Sequence, residues 1–344
     1  MPCAEFGCLP TIIGSMPHTD PRAACSLVNH YLKDIPVWPQ LPKRSFLENM
    51  YAQYSQGFPG AVIESERIYI DRSQDLGKPL EQLYAAYLEN DIDKCPVTPE
   101  YAAGLHSFLS LTDLSPLAVK GQIIGPVSWG LSVTDDSRQA ILYDDTLIDG
   151  AAKLLRLKAG WQEKALSQIS RNTVIFVDEP YMEAYGSSSF ITLTKGKVIS
   201  LLEEVFAGIG GLKGVHCCGN TDWSVLLDTS ADILSFDAYN YAQSLSLYPA
   251  EIKKFLDRKG AIAWGIVPNG EELLVKESVV SLAERLEEAM ASFTRNGIPF
   301  RQLIEQGLLT PSCGLASLSS EEAAAHALEL LTELSAKIRK RYIR

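Results

Sequence analysis

The segment VHCCGNTDW, residues 215–223, carries the densest chemistry in the chain. Side chains alternate along an extended strand, so His216 and Cys218 share one face while Cys217 points to the other. Gly219 and Asn220 follow as turn formers, which puts the pair at a strand end. On its own an H-x-C pair is the pattern of a core histidine beside buried cysteines. Cys313, in TPSCGL, changes that reading, because it is a further thiol at a strand-to-loop junction. One imidazole and two thiolates suit zinc better than magnesium or calcium, and three protein ligands leave one position for an exchangeable group. Zinc lowers the pKa of a coordinated thiol, so such a site would present a substrate thiolate at neutral pH, ready to attack a methyl group.

Other polar residues stand at comparable places. Asp237, in ADILSFDAYN, could be a fourth, displaceable ligand or a carboxylate bonded to neighbouring loop amides. Asp178 and Glu179, in VIFVDEP, could act as acid and base, bind a substrate ammonium, or cap the next loop. Ammonium binding is preferred, since the metal already activates the nucleophile. In IIGSMPHT, Ser15 and the amides around Gly14 could hold a carboxylate or simply form a tight turn, and His18 reads as a surface residue.

These residues need a scaffold that brings strand ends together. Eight short apolar runs recur, around Thr11 to Ile13, Ala61 to Glu64, Leu117 to Ile123, Thr173 to Val177, Gly214 to Cys218, Ile233 to Asp237, Ala261 to Ile266 and Leu308 to Ser312. Helical patterns separate most of them. Asp20-Pro21 opens one helix, Ser319 with Glu322 offers a capping box for the last, and Asn296-Gly297 closes a long amphipathic stretch from Lys276. Alternation of this kind predicts parallel strands with helices outside, and the count predicts a single (β/α)8 TIM barrel over residues 1–344, with an elaborated segment after the second strand. No phosphate-binding glycine motif occurs, so nucleotide binding has no support.

Composition narrows the partners. With 42 acidic and 31 basic side chains the formal charge is −11, which disfavours nucleic acid and anionic membranes as partners. No apolar run is long enough to span a bilayer. The start MPCAEFGCLP does not read as a secretory signal, so the cytoplasm is the expected compartment. Seven unevenly spaced cysteines read there as buried thiols or metal ligands rather than a disulfide framework.

Taken together, IIGSMPHT, GPVSW, VDEP, VHCCGN, ADILSFD and PSCGL fall in an order that resembles the catalytic C-terminal half of cobalamin-independent methionine synthase, within the superfamily that includes uroporphyrinogen decarboxylase. The resemblance implies a (β/α)8 barrel with zinc on His216, Cys218 and Cys313. It assigns homocysteine to Ile13, Gly14 and Ser15, with Asp178 on the substrate amine. It also suggests Glu64 as a second homocysteine contact and Trp129 as an aromatic on the donor side. Two departures bear on the methyl donor. The family's full-length enzymes carry an N-terminal barrel that helps bind the folate donor, for which 344 residues leave no room, and their seventh-strand loop holds a histidine where this chain reads AWGIVPNGEE. A folate amine needs protonation to leave, whereas methylcobalamin expels cob(I)alamin without it. The expected donor is therefore a methylcorrinoid, methylcobalamin or a separate corrinoid protein, as in the short core methionine synthases. A third departure is Asp237, where the family ligand is glutamate. The competing readings are another thiol acceptor, such as coenzyme M, and a uroporphyrinogen-decarboxylase-like enzyme.

Overall fold

The computed structural model describes residues 5–112, 114–186 and 193–343. Its ten strands are β1 (Leu9–Pro10), β2 (Ala61–Glu64), β3 (Arg67–Ile70), β4 (Val119–Ile124), β5 (Thr134–Asp135), β6 (Thr173–Asp178), β7 (Leu212–Cys217), β8 (Ile233–Phe236), β9 (Ala261–Val267) and β10 (Gly307–Pro311). Seven pair in parallel, in the order β1-β10-β9-β8-β7-β6-β4. Parallel neighbours require crossovers, and helices supply them, fourteen α-helices among the described residues. β6 and β9 are buried at every position, which is why TVIFVD and AIAWGIV read as nearly unbroken apolar runs.

The two faces of this sheet bury different clusters. Ile175, Val177, Ile262 and Trp264 belong to the large core beneath the helices. Their alternates Val174, Phe176, Ala261 and Ala263 join Phe6, Leu9, Ile233 and Leu308 in a smaller cluster on the opposite face. By the two-residue period of a strand, the next side chains on that second face are Asp178, Ser235 and Thr310. An apolar floor thus gives way to polar groups towards the C-terminal strand ends, where parallel sheets build their sites.

The expected eight-stranded barrel is corrected to a curled, seven-stranded half-barrel whose ladder does not close. The expected second strand, Ala61 to Glu64, instead forms an antiparallel hairpin with β3, and β5 joins it in a separate three-stranded sheet. The gap between β1 and β4 holds residues 34–40, DIPVWPQ. There Lys120 N–H donates to Pro36 O (2.9 Å) and Gln40 N–H to Gly14 O (2.9 Å), with isolated parallel bridges Val37–Lys120 and Ser15–Gln40. Pro36 and Pro39 lack the N–H groups that a continuous ladder needs, so the segment spans the gap without becoming a strand.

The helix punctuation follows the sequence closely. Asp20 accepts from the backbone N–H groups of Arg22 and Ala23 ahead of the helix Pro21–Tyr31. The last helix, Glu321–Tyr342, is capped by Ser320 rather than Ser319, and Asn296 with left-handed Gly297 (φ +89°) ends the helix Val279–Arg295. No helix among the described residues is long and apolar enough to cross a membrane.

Candidate metal centre and its pocket

His216 lies on β7 between two neighbours in register, Asp178 of β6 and Ser235 of β8. Its ring is buried, and Nδ1 sits 3.0 Å from the Ser235 hydroxyl. With the Nδ1 proton donated to Ser235, Nε2 keeps its lone pair, and this buried nitrogen has no hydrogen-bond partner. An unpaired buried nitrogen is costly unless something fills its place. The Cys218 and Cys313 sulfurs supply the setting, because ligand atoms of His216, Cys218 and Cys313 all lie within 4.8 Å of one another. Zinc bonds of about 2.0–2.3 Å fit a group of that size. The Cys313 thiol beside it, helped by His216, holds the Cys218 thiol well below the usual thiol range, while the same proximity and burial push Cys313 up. Cys217 turns to the other face, fully buried, with its thiol pushed up by burial. One imidazole and two thiols form a donor set that suits zinc.

Asp178 and Glu179 separate into two roles. Glu179 is fully buried and accepts from the backbone N–H groups of Val127 (3.0 Å) and Ser128 (2.7 Å), at the start of the helix Pro126–Ser132. Burial pushes its carboxyl up to about 7 against those hydrogen bonds. The helix start explains GPVSW. Pro126 takes the first helical position, and a Cβ at Gly125 would lie 2.2 Å from the Glu179 carboxyl group. Asp178 has no such partner at Oδ1, and burial pushes it up to about 6 while His216 and Lys120 pull it back.

The loop after β1 is strapped from three sides. Ile13 O accepts from Lys120 Nζ (2.7 Å), Gly14 O from Gln40 N–H (2.9 Å), and Ser15 O from Leu315 N–H (2.8 Å). Gly14 has φ +147°, and a Cβ there would meet the Gln122 side chain at 2.4 Å. Ile13, Ser15, Asp178, His216, Cys218 and Cys313 then line one cavity of about 270 Å³. Six of the residues singled out in the sequence thus meet at one place.

Others do not join them. Asp237 caps the helix Ala238–Leu245, its two oxygens accepting from the Asn240 backbone N–H (3.0 Å) and side-chain amide (2.7 Å), and it is not in the three-residue metal group. Glu64 is exposed on the outer hairpin and is absent from the cavity wall. Trp129 is a core residue, its indole N–H donating to Ser55 Oγ (2.9 Å) and its ring tilted against Phe58. His18, expected at the surface, is buried, with Nε2 3.7 Å from Glu321.

Residues of the site that escaped the sequence reading include Ser235 and Lys120. Ser235 orients His216, and Lys120 pins Ile13 from inside the half-barrel, its ammonium fully buried over the Phe176 ring at 4.1 Å. Burial lowers the Lys120 ammonium to about 7. A signal for Lys120 was present: in VKGQII, Lys120 and Gln122 alternate as polar residues through an otherwise apolar strand.

No protein-family model matches this chain. No curated protein matches it either. Among solved structures, a protein from Listeria monocytogenes assigned as a vitamin-B12-independent methionine synthase aligns at TM-score 0.62 and 13% identity, over 98% of this chain and 99% of that one. A methyltransferase from Methanosarcina mazei aligns at TM-score 0.53 and 14% identity, over 99% and 95% of the two chains. The chain shares their fold. At these identities the comparison speaks for architecture, and chemistry has to be argued from the pocket.

Proposed function

We propose that this protein is a zinc-dependent methyltransferase that methylates the thiol of homocysteine to give methionine, as a single catalytic domain. The observation that carries the reading is the convergence of His216 Nε2, without a partner, with the Cys218 and Cys313 sulfurs at the wall of one cavity. Bound by these three residues, zinc would supply a substrate thiolate at neutral pH. The chain's own groups do the rest. Ser235 fixes the ring of His216, and Asp178 offers an unpaired carboxylate oxygen to a substrate ammonium. Ser15, on the cavity wall, is the group assigned to the substrate carboxylate. In the transfer the thiol loses its proton, a new S–CH3 bond forms, and the donor's bond to the methyl carbon breaks with its electron pair staying on the donor.

The donor we propose is a methylcorrinoid, free methylcobalamin or one carried by a corrinoid protein. The loop after β9 brings Asn269 to the cavity, where its carboxamide accepts from Ser312 (2.9 Å). A carboxamide does not deliver a proton to a departing amine, which favours a donor that leaves unprotonated. The cavity wall, among the described residues, includes no lysine or arginine. That disfavours the sulfonate of coenzyme M and the many carboxylates of a tetrapyrrole.

Zinc-loaded protein incubated with methylcobalamin and homocysteine is expected to form methionine. Absence of methionine at full zinc occupancy, in conditions where methyl transfer from methylcobalamin to another thiol is detected, would replace homocysteine as the acceptor. Absence of transfer to every thiol would end the methyltransferase reading.

A further inference from the structure

A second cavity, of about 430 Å³, opens beside the metal pocket. The two meet at Asn49, which lines both. Tyr51 also lines the second cavity. Its ring stands edge-on to Tyr181, with centroids 6.1 Å apart. The outer wall comes from the three-stranded sheet, an element that takes no part in the half-barrel. That sheet contributes Arg67 from β3 and Arg138 from the loop after β5.

The loop is built to present its arginine. The Asp135 carboxylate accepts from Ser137 N–H (2.9 Å) and Gln139 N–H (3.0 Å) and is paired with Arg72 (3.1 Å), while Arg138 takes a left-handed backbone, φ +62°, which side chains rarely adopt. Arg67 is held over the Tyr69 ring at 4.6 Å and donates to Asp135 O (3.1 Å). Neither Arg67 nor Arg138 forms an ion pair among the described residues, and one exposed carboxylate, Glu66, stands on the same wall. In a chain of charge −11, two guanidinium groups without a carboxylate partner, beside an aromatic ring and next to the metal pocket, are an arrangement for an anion.

We propose that this cavity is a second subsite, which takes an oxyanion-bearing arm of the methyl donor, a phosphate or carboxylate held between Arg67 and Arg138. The inference rests on the methyl-transfer reading above. It gives the outer sheet a function: it anchors the donor while the metal pocket holds the acceptor, and Asn49 marks where the two meet.

Calorimetric binding to the intact, zinc-loaded protein tests this with three probes: methylcobalamin, which carries a phosphodiester; methylcobinamide, which lacks it; and methyltetrahydrofolate, which carries carboxylates. The variants are Arg138→Gln alone and Arg67→Gln with Arg138→Gln, both at exposed positions, with retained fold checked by Tm. For the donor that uses the subsite, the double variant is expected to raise Kd about tenfold and the single variant to raise it less. Methylcobinamide should bind wild type and variants alike. A change confined to methylcobalamin identifies the phosphate, and a change confined to methyltetrahydrofolate identifies the carboxylate. Unchanged Kd for both anionic donors, or no binding of either to wild type, would overturn the proposal. Failure of the metal reading would appear elsewhere, as wild-type protein that holds no zinc whatever the arginines do.

Discussion

Ser235 shows how much of a candidate metal site would lie outside its ligands. A serine hydroxyl 3.0 Å from His216 Nδ1 sets which ring nitrogen is free. Ser235→Ala should lower zinc affinity by about 10–100-fold with little change in Tm of the metal-free protein, as read by competition with a chelator. Asp178 makes a prediction of opposite sign. Burial raises its carboxyl from 3.8 to about 6, so the folded chain prefers it protonated. Its stabilising contribution is complete below about pH 4 and is lost as pH rises through 6. Asp178→Asn should therefore stabilise the metal-free protein at pH 7–8, by on the order of 2–3 kcal/mol at most, and leave its stability at pH 4 unchanged. Urea denaturation at the two pH values measures the difference; equal effects at both would show that Asp178 is not held in the buried, unpaired state described. The same substitution should raise KM for homocysteine, since the ammonium loses its carboxylate partner. At this scale the sequence was most legible for groups whose chemistry is rare. A histidine and two cysteines at strand ends announce themselves, whereas Ser235 is one serine among many and becomes visible only when β8 is laid beside β7.

Strands buried on both faces left a clear trace in the sequence, and the ones that did not fit that pattern were misplaced. β4 and β6 to β10 lie where their apolar runs predicted, within a few residues. The run AVIE had the right composition for a barrel strand, but its partner RIYI follows after only Ser65 and Glu66, so the pair closes locally as a hairpin. The segment that lies in the barrel's second position is DIPVWPQ, whose two prolines hide it from any strand pattern. Three-dimensional neighbours, not local propensity, decide its conformation. The same dependence on neighbours gives a test at Gly125. A methyl group there would collide with the buried Glu179 carboxyl that caps the next helix. Gly125→Ala should cost about 1–3 kcal/mol, seen as a lower Tm, and Asp178, one residue from Glu179, should be displaced enough to weaken homocysteine binding. An unaltered Tm would mean that the Glu179 cap is not held as tightly as its burial indicates.

The whole molecule places two acid-rich requirements side by side: a strongly negative chain and a pocket in which thiols, a histidine and a carboxylate crowd together. Its fold is shared with a methionine-synthase-like protein and a methyltransferase at 13% and 14% identity, so the same architecture is built by chains that differ at most positions. The parallel sheet covered by helices and the convergence of strand ends were foreseeable from alternating apolar runs and helix caps. The open ladder was not, and neither was the outer sheet, because both depend on which distant segments lie next to one another. The account stands or falls on the metal. Metal analysis of wild type and of His216→Ala, Cys218→Ser and Cys313→Ser tests it most directly. Wild type should hold about one zinc per chain and each variant should lose most of it, because three protein ligands are the minimum for a site of this kind. Zinc retained in full by all three variants would contradict the account.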